Sequence, residues 1–158
     1  MHRCKGFTLI ELVIVIIVLG ILSKGVYMQW TAGTINLGAQ ADQLAGDIRY
    51  TQSLSMSKNQ RYRLVKISST SYQITNSAGT AIIYPNGQNT ITLKNGITFG
   101  SFTNLPNSLI AFDSNGIPYS DTTSPGTALS STASMTLTAS SETKTISIAP
   151  TTGQVSIQ

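Results

Sequence analysis

An α+β fold is predicted: a long N-terminal hydrophobic α-helix packed against a C-terminal antiparallel β-sheet head. Three observations carry this reading. Residues 12–22, LVIVIIVLGIL, are uninterruptedly apolar. Between residues 35 and 60 the apolar side chains recur at three- and four-residue steps. After Asn59 the period falls to two, in short runs rich in β-branched and aromatic residues with turn sequences between them. One long helix ahead of many strands is an α+β arrangement in which the sheet wraps one half of the helix.

The 158 residues suit one domain plus an appendage. Only 10% are charged, against roughly 25% in ordinary soluble chains, and Ser, Thr, Asn and Gly supply most of the polarity of the second half. Such a surface fits an extracytoplasmic location. The formal charge is +4, but Arg3 and Lys5 precede the apolar run; without them eight basic face six acidic residues. Bulk basicity therefore gives only a weak argument for nucleic acid as a partner, and none is expected. The single cysteine, Cys4, and the single histidine, His2, both lie before Gly6. The body thus has no disulfide, thiol nucleophile or imidazole, which excludes Cys/His metal sites and Ser-His-Asp or Cys-His catalysis there. Asp42, Asp47 and Glu142 form no carboxylate pair by spacing, and no Walker or dinucleotide glycine motif occurs. The expectation is a non-enzyme with no cofactor, no metal site and no catalytic residue.

From Phe7 to Leu22 only Thr8 and Glu11 interrupt the apolar run. A spanning helix needs about 17–25 residues, so this stretch needs its flanks. Tyr27 and Trp30 are spaced to sit at the far interface, and Arg3 and Lys5 orient the amino terminus toward the cytoplasm. A secretory signal would end in a small-x-small cleavage site, which "ILSKGVY" lacks. A plain anchor accounts for the hydrophobicity but not for Glu11, since a carboxylate at mid-membrane costs about 2.5–3.5 kcal/mol.

The stretch "KGFTLIEL" closely resembles the type IV prepilin signal: a short basic leader ending in Gly, then Phe, then Glu as the fifth mature residue. The resemblance implies cleavage after Gly6 by a prepilin peptidase and N-methylation of Phe7. It implies that Leu12, Val13, Ile14, Val15, Ile16, Ile17, Val18, Leu19, Ile21 and Leu22 anchor the chain in the membrane and later pack in a filament core. Glu11 would be the assembly residue, approaching the methylated amino terminus of a neighbouring subunit. A buried charge is tolerated when paired and penalised when not, so Glu11 would set the stagger between subunits.

In "INLGAQADQLAGDIRYTQSLSMSKNQ", Leu37, Ala41, Leu44, Ala45, Ile48 and Ser55 make an amphipathic stripe. One helix from about Phe7 to Lys58 is expected, the pilin spine of the resembled family, bent or broken near Gly33. At 1.5 Å per residue it measures roughly 75–80 Å, so half must leave the bilayer. The expected organisation is a leader at 1–6, a transmembrane and filament-core half-helix at 7–30, an amphipathic half at 31–58 and a β-rich head at 59–158.

Strands are expected in "RYRLVKI", "SYQIT", "TAIIY", "NTITL", "ITFGSF", "SLIAFD", "SMTLTA", "TISIA" and "QVSIQ", paired hairpin by hairpin. Turns are expected at "NSAG", "PNGQN", "KNG", "DSNG" and "APTTG". "TISIAPTTGQVSIQ" reads as a terminal hairpin, and residues 122–134 as a mobile loop. The segment "DIRYTQSLSMSKNQRYRLV", with "IAFDSNGIP" and "ISIAPTTGQVSIQ", is similar to the GspH/FimT group of minor pilins and pseudopilins. The missing cysteine pair, and the absence of any proline before Pro85, depart from the major pilins. The FimT branch holds DNA with a Gly-Arg-x-Arg element; here "TTGQVSIQ" stands in its place, and the last fourteen residues carry no basic side chain.

"KNQRYRLVK" supplies one candidate anion contact, Lys58, Arg61, Arg63 and Lys66, in which Arg61 and Arg63 share a strand face and Lys66 takes the other. "DSNG" reads as a turn, because an EF-hand would need a Glu where Ser124 stands.

The resemblance implies a minor pilin or pseudopilin of a type IV pilus or type II secretion pseudopilus. Its partners would be other pilins or pseudopilins, prepilin peptidase and an inner-membrane assembly platform. It would be single-pass in the bacterial inner membrane, N-terminus cytoplasmic and head periplasmic, then part of the fibre. The alternative is a pilus-tip adhesin or a DNA-uptake binding module.

Overall fold

A computed structural model of the chain describes residues 8–27, 32–121 and 126–158. The chain divides into two units, Met1–Ala32 and Gly33–Gln158. The first holds helix α1, Leu9–Tyr27. Helix α2, Ala32–Lys58, runs into the second. The expected single rod is described over these two helical stretches, and residues 28–31 between them lie outside the described residues.

The stripe of α2 is the stripe read from the sequence. Leu37, Ala41, Leu44, Ala45, Ile48 and Ser55 are buried, and Thr51 fills the gap in the series. Its last members are hydroxyls whose donors turn back on the helix: Thr51 Oγ1 donates to the Asp47 carbonyl at 2.7 Å and Ser55 Oγ to the Thr51 carbonyl at 3.0 Å. Ser55 Oγ also accepts the Tyr62 amide at 3.0 Å, which ties the helix end to the first strand. The helix stops at Asn59, in the left-handed region at φ 49°. The Gln60 amide then donates to the Ser55 carbonyl at 3.2 Å, the bond that closes a Schellman ending.

Among the described residues nine strands follow: β1 Tyr62–Ser68, β2 Ser71–Thr75, β3 Ile91–Thr92, β4 Thr98–Thr103, β5 Leu109–Phe112, β6 Pro118–Tyr119, β7 Ala133–Ala139, β8 Glu142–Ile148 and β9 Val155–Ile157. They form two antiparallel sheets, in the orders β3-β2-β1-β5-β6 and β4-β7-β8-β9. The pairings β1 with β5 and β4 with β7 join strands that are not sequence neighbours, so the hairpin-by-hairpin expectation holds only in part. The terminal hairpin is present, with Ile146 opposite Ile157 and Ile148 opposite Val155. Alternation on β7 buries Ala133, Met135, Leu137 and Ala139 and turns Ser134, Thr136 and Thr138 outward. The inward faces of both sheets and the α2 stripe share one core, centred on Ile48, Ile74, Ile110, Met135 and Ile146.

Three sequence expectations are corrected. "TAIIY" forms only an isolated bridge, Ala81 opposite Thr75; the chain then turns at Pro85 and Gly87, where the Tyr84 amide donates to the Gln88 carbonyl at 2.8 Å. β6 was not anticipated, since two residues opened by a proline leave no periodic signal; proline fits because β6 is a sheet edge. Within residues 122–134, positions 122–125 lie outside the described residues. The rest is held: the Leu129 amide donates to the Pro118 carbonyl at 2.9 Å and Ala133 already belongs to β7. "DSNG" is the expected turn, with Asp113 Oδ1 accepting the Asn115 and Ile117 amides at 2.9 and 2.8 Å.

Candidate functional site

Gly6 and Phe7, the residues read as the processing site, lie outside the described residues. α1 begins beside them. Thr8 is its N-cap: the Glu11 amide donates to Thr8 Oγ1 at 3.3 Å, and the Leu12 amide to the Thr8 carbonyl at 3.2 Å. "TLIE" is therefore the Thr-x-x-Glu sequence of a capping box, with its acid in the first turn, where the helix dipole favours negative charge. Glu11 has a local role that the sequence reading missed, although the four-residue pattern shows it.

Beyond Glu11, the side chains of α1 up to Ile21 are apolar on every side and exposed. Exposure runs from 43% at Val13 to 82% at Leu9, and Leu12, Ile14, Val15, Ile16, Ile17, Val18, Leu19 and Ile21 fall between. Leu22 belongs to the same helix. A helix apolar all round belongs in lipid or among other helices. At 19 residues α1 reaches about 28 Å. Among the described residues no helix is long and apolar enough to cross a membrane; Ser23 and Lys24 interrupt the last turns of this one.

The basic junction is dispersed over different partners. Arg61 lies over the Tyr119 ring at 4.0 Å. Arg63 Nε donates to Thr75 Oγ1 at 3.0 Å, one strand over. Lys66 Nζ sits 5.2 Å from the centre of the Phe102 ring in the other sheet. Lys58 closes α2 and favours its C-terminal dipole. Arg61 also precedes β1 rather than lying in it, so it does not share a strand face with Arg63.

A polar cleft of about 500 Å³ lies between α2 and the segment from Tyr84 to Asn95. Its helix side includes Gln40, Gln43 and Asp47 and its other side Tyr84, Gln88 and Lys94. Gln40 clamps the far wall, donating to the Lys94 carbonyl at 3.2 Å and accepting its amide at 2.8 Å. Asp47 Oδ2 accepts the Tyr72 hydroxyl at 2.7 Å. Tyr72 is buried and packs edge-on against Phe99, with ring centres 5.9 Å apart. The Tyr84 hydroxyl is buried with no hydrogen-bond partner among the described residues. No local signal links Asp47 to Tyr72; the pair exists only once α2 lies on β2.

Burial raises the Asp47 carboxyl above its ordinary value, and the Tyr72 hydrogen bond offsets this only in part. Burial also pushes the Tyr72 hydroxyl up, reinforced by the Asp47 charge beside it. A carboxyl raised on folding binds its proton more tightly in the folded chain. Its contribution to stability therefore falls as pH rises from the unfolded value near 3.8 through the folded one. Asp47→Asn keeps an acceptor for Tyr72 and removes the ionisation. Urea denaturation of the variant is expected to lose this falling limb, with stability near pH 7 equal to or above that of the parent.

Two family descriptions match the chain: "Prokaryotic N-terminal methylation motif" over residues 1–26 and "Type II transport protein GspH" over residues 40–152. No curated protein sequence matches. Among solved structures, the fold is similar to the type IV minor pilin FimU of Pseudomonas aeruginosa, at 12% identity and a TM-score of 0.54 over 77% of this chain and 87% of that one. It is also similar to the minor pseudopilin EpsH from the type 2 secretion system of Vibrio cholerae, at 10% identity and a TM-score of 0.57 over 78% and 96%. The GspH match spans most of the chain, the strand-rich head together with α2 from Gln40 onward. With an N-terminal methylation motif ahead of an α+β head of this architecture, the chain belongs to the GspH family of minor pilins and pseudopilins.

Proposed function

We propose that this minor pilin-type subunit is made as a precursor, cut between Gly6 and Phe7 by a prepilin peptidase and methylated on the new Phe7 amine. It waits in the bacterial inner membrane as a single-pass protein, amino terminus cytoplasmic and head periplasmic. An inner-membrane assembly platform then draws it into a pilus or pseudopilus. The observation that supports this most is α1, whose apolar side chains from Leu9 to Ile21 are exposed on every face, with one acid in a capped first turn. Its apolar faces are satisfied first by lipid and then by the same helix of neighbouring subunits.

Glu11 is the register element of that assembly. In the correct stagger its carboxylate meets the methylated ammonium of an adjoining subunit, and in a wrong one it is buried unpaired. Intact and peptide mass spectrometry of the mature chain tests the scheme at its root. The expected amino terminus is N-methyl-Phe7. Retention of residues 1–6, or a cut anywhere else, removes the basis for this assignment.

A further inference from the structure

We propose that the cleft between α2 and the Tyr84–Asn95 segment binds a neutral, extended oligosaccharide. This goes beyond the assembly role and does not depend on it. The cleft of about 500 Å³ adjoins a second of about 420 Å³, and both are lined by Gln88 and Thr92. The two share the wall formed by Gln88 and Thr92, and Pro85 and Gly87 of the intervening turn line one each. Pockets that hold small ligands fall in this size range.

The chemistry of the walls selects the ligand class. Gln43, Gln88 and Asn95 line the cleft with side-chain amides, each offering donor and acceptor together. Sugar hydroxyls need that combination, being donors and acceptors themselves. Asp47 is the one carboxylate of the lining and Lys94 the one ammonium, so no net charge draws a polyanion and nucleic acid is disfavoured. Tyr84 and Pro85 give flat apolar surface for the C–H face of a pyranose. The Tyr84 hydroxyl is a buried donor with no acceptor among the described residues, a kind of group that native chains seldom keep without a use for it.

A peptide adding to the sheet is the competing occupant, because β3 is a free edge. That edge is two residues long, too short to hold a strand by main-chain hydrogen bonds.

The test uses the full mature chain in micelles of a sugar-free zwitterionic detergent. Cellohexaose, chitohexaose and maltohexaose are titrated by calorimetry, with heparin hexasaccharide and an extended hexapeptide as comparators. At least one neutral hexasaccharide is expected to bind saturably, with Kd of about 0.1–1 mM. Binding is expected to weaken about tenfold or more in the double variant Gln43→Ala/Gln88→Ala and to fall in Tyr84→Phe. Gln43 and Gln88 are exposed, so the double variant keeps its fold, which an unchanged melting temperature verifies. Failure of all three neutral probes overturns the proposal. So does tighter binding of heparin or the peptide, or equal affinity in the folded double variant.

Discussion

Replacing Gly153 with alanine is expected to destabilise the head by about 2–5 kcal/mol, the sum of roughly 1–2 for a left-handed backbone and 1–3 for overpacking. Gly153 sits at φ +67° in the turn between β8 and β9. A methyl group there would stand 2.7 Å from Gln52 Nε2 and 2.8 Å from Phe112 Cε1, with the Gly116 carbonyl at 3.2 Å. Phe112 is fully buried and does not yield. Gln52 is not free to leave either: its Nε2 donates to the Gly116 carbonyl at 2.8 Å and to the Thr152 carbonyl at 2.9 Å. The methyl therefore also displaces a side chain that ties two distant loops to α2. In thermal denaturation the melting temperature is expected to fall by about 5–15 °C. Gly87→Ala is the control. Its φ is +78°, but no atom stands within 4 Å, so only the conformational penalty of about 1 kcal/mol applies. Equal losses in the two variants would show that crowding at Gly153 is not the cause.

Changing Glu11 tests the proposed register role against a role in starting the helix, where its amide donates to Thr8. Glu11→Gln preserves the Thr-x-x-Glu/Gln cap but not the charge, whereas Thr8→Ala removes the cap at about 1 kcal/mol and leaves the charge. A partner ammonium left buried and unpaired is penalised by about 3–5 kcal/mol, far more than a lost cap. Recovery in the sheared fibre fraction, relative to the membrane fraction, is thus expected to drop at least tenfold for Glu11→Gln. It is expected to stay near normal for Thr8→Ala. The reverse pattern would make Glu11 a helix-start residue and leave subunit register to something else. Both variants remain in the membrane, which immunoblotting of fractions checks.

The sequence was most legible where its period was strong. Every stripe residue named on α2 is buried, because a 3.6-residue repeat sustained over about five turns admits one inward face. Strands were legible where alternation ran five residues or more, as in β1, β2, β7 and β8. "TAIIY" misled because β-branched composition outweighed the Pro85 and Gly87 that follow it. The basic junction was legible as residues but not as a site, since Tyr119, Thr75 and Phe102, the groups that claim Arg61, Arg63 and Lys66, come from three other strands. Asp47 with Tyr72 was invisible for the same reason: 25 residues separate them, and only the docking of α2 on β2 brings them together.

The grip of α2 on the closing hairpin has a mechanical consequence. Arg49 donates to the Val155 carbonyl at 2.9 Å, and one turn on Gln52 holds Thr152. Traction applied to this helix would therefore be shared at once with the last strand of the fold. The hairpin acts as a buckle: while it stays fastened the head travels as one piece, and loosening it is the step at which a loaded subunit would begin to peel.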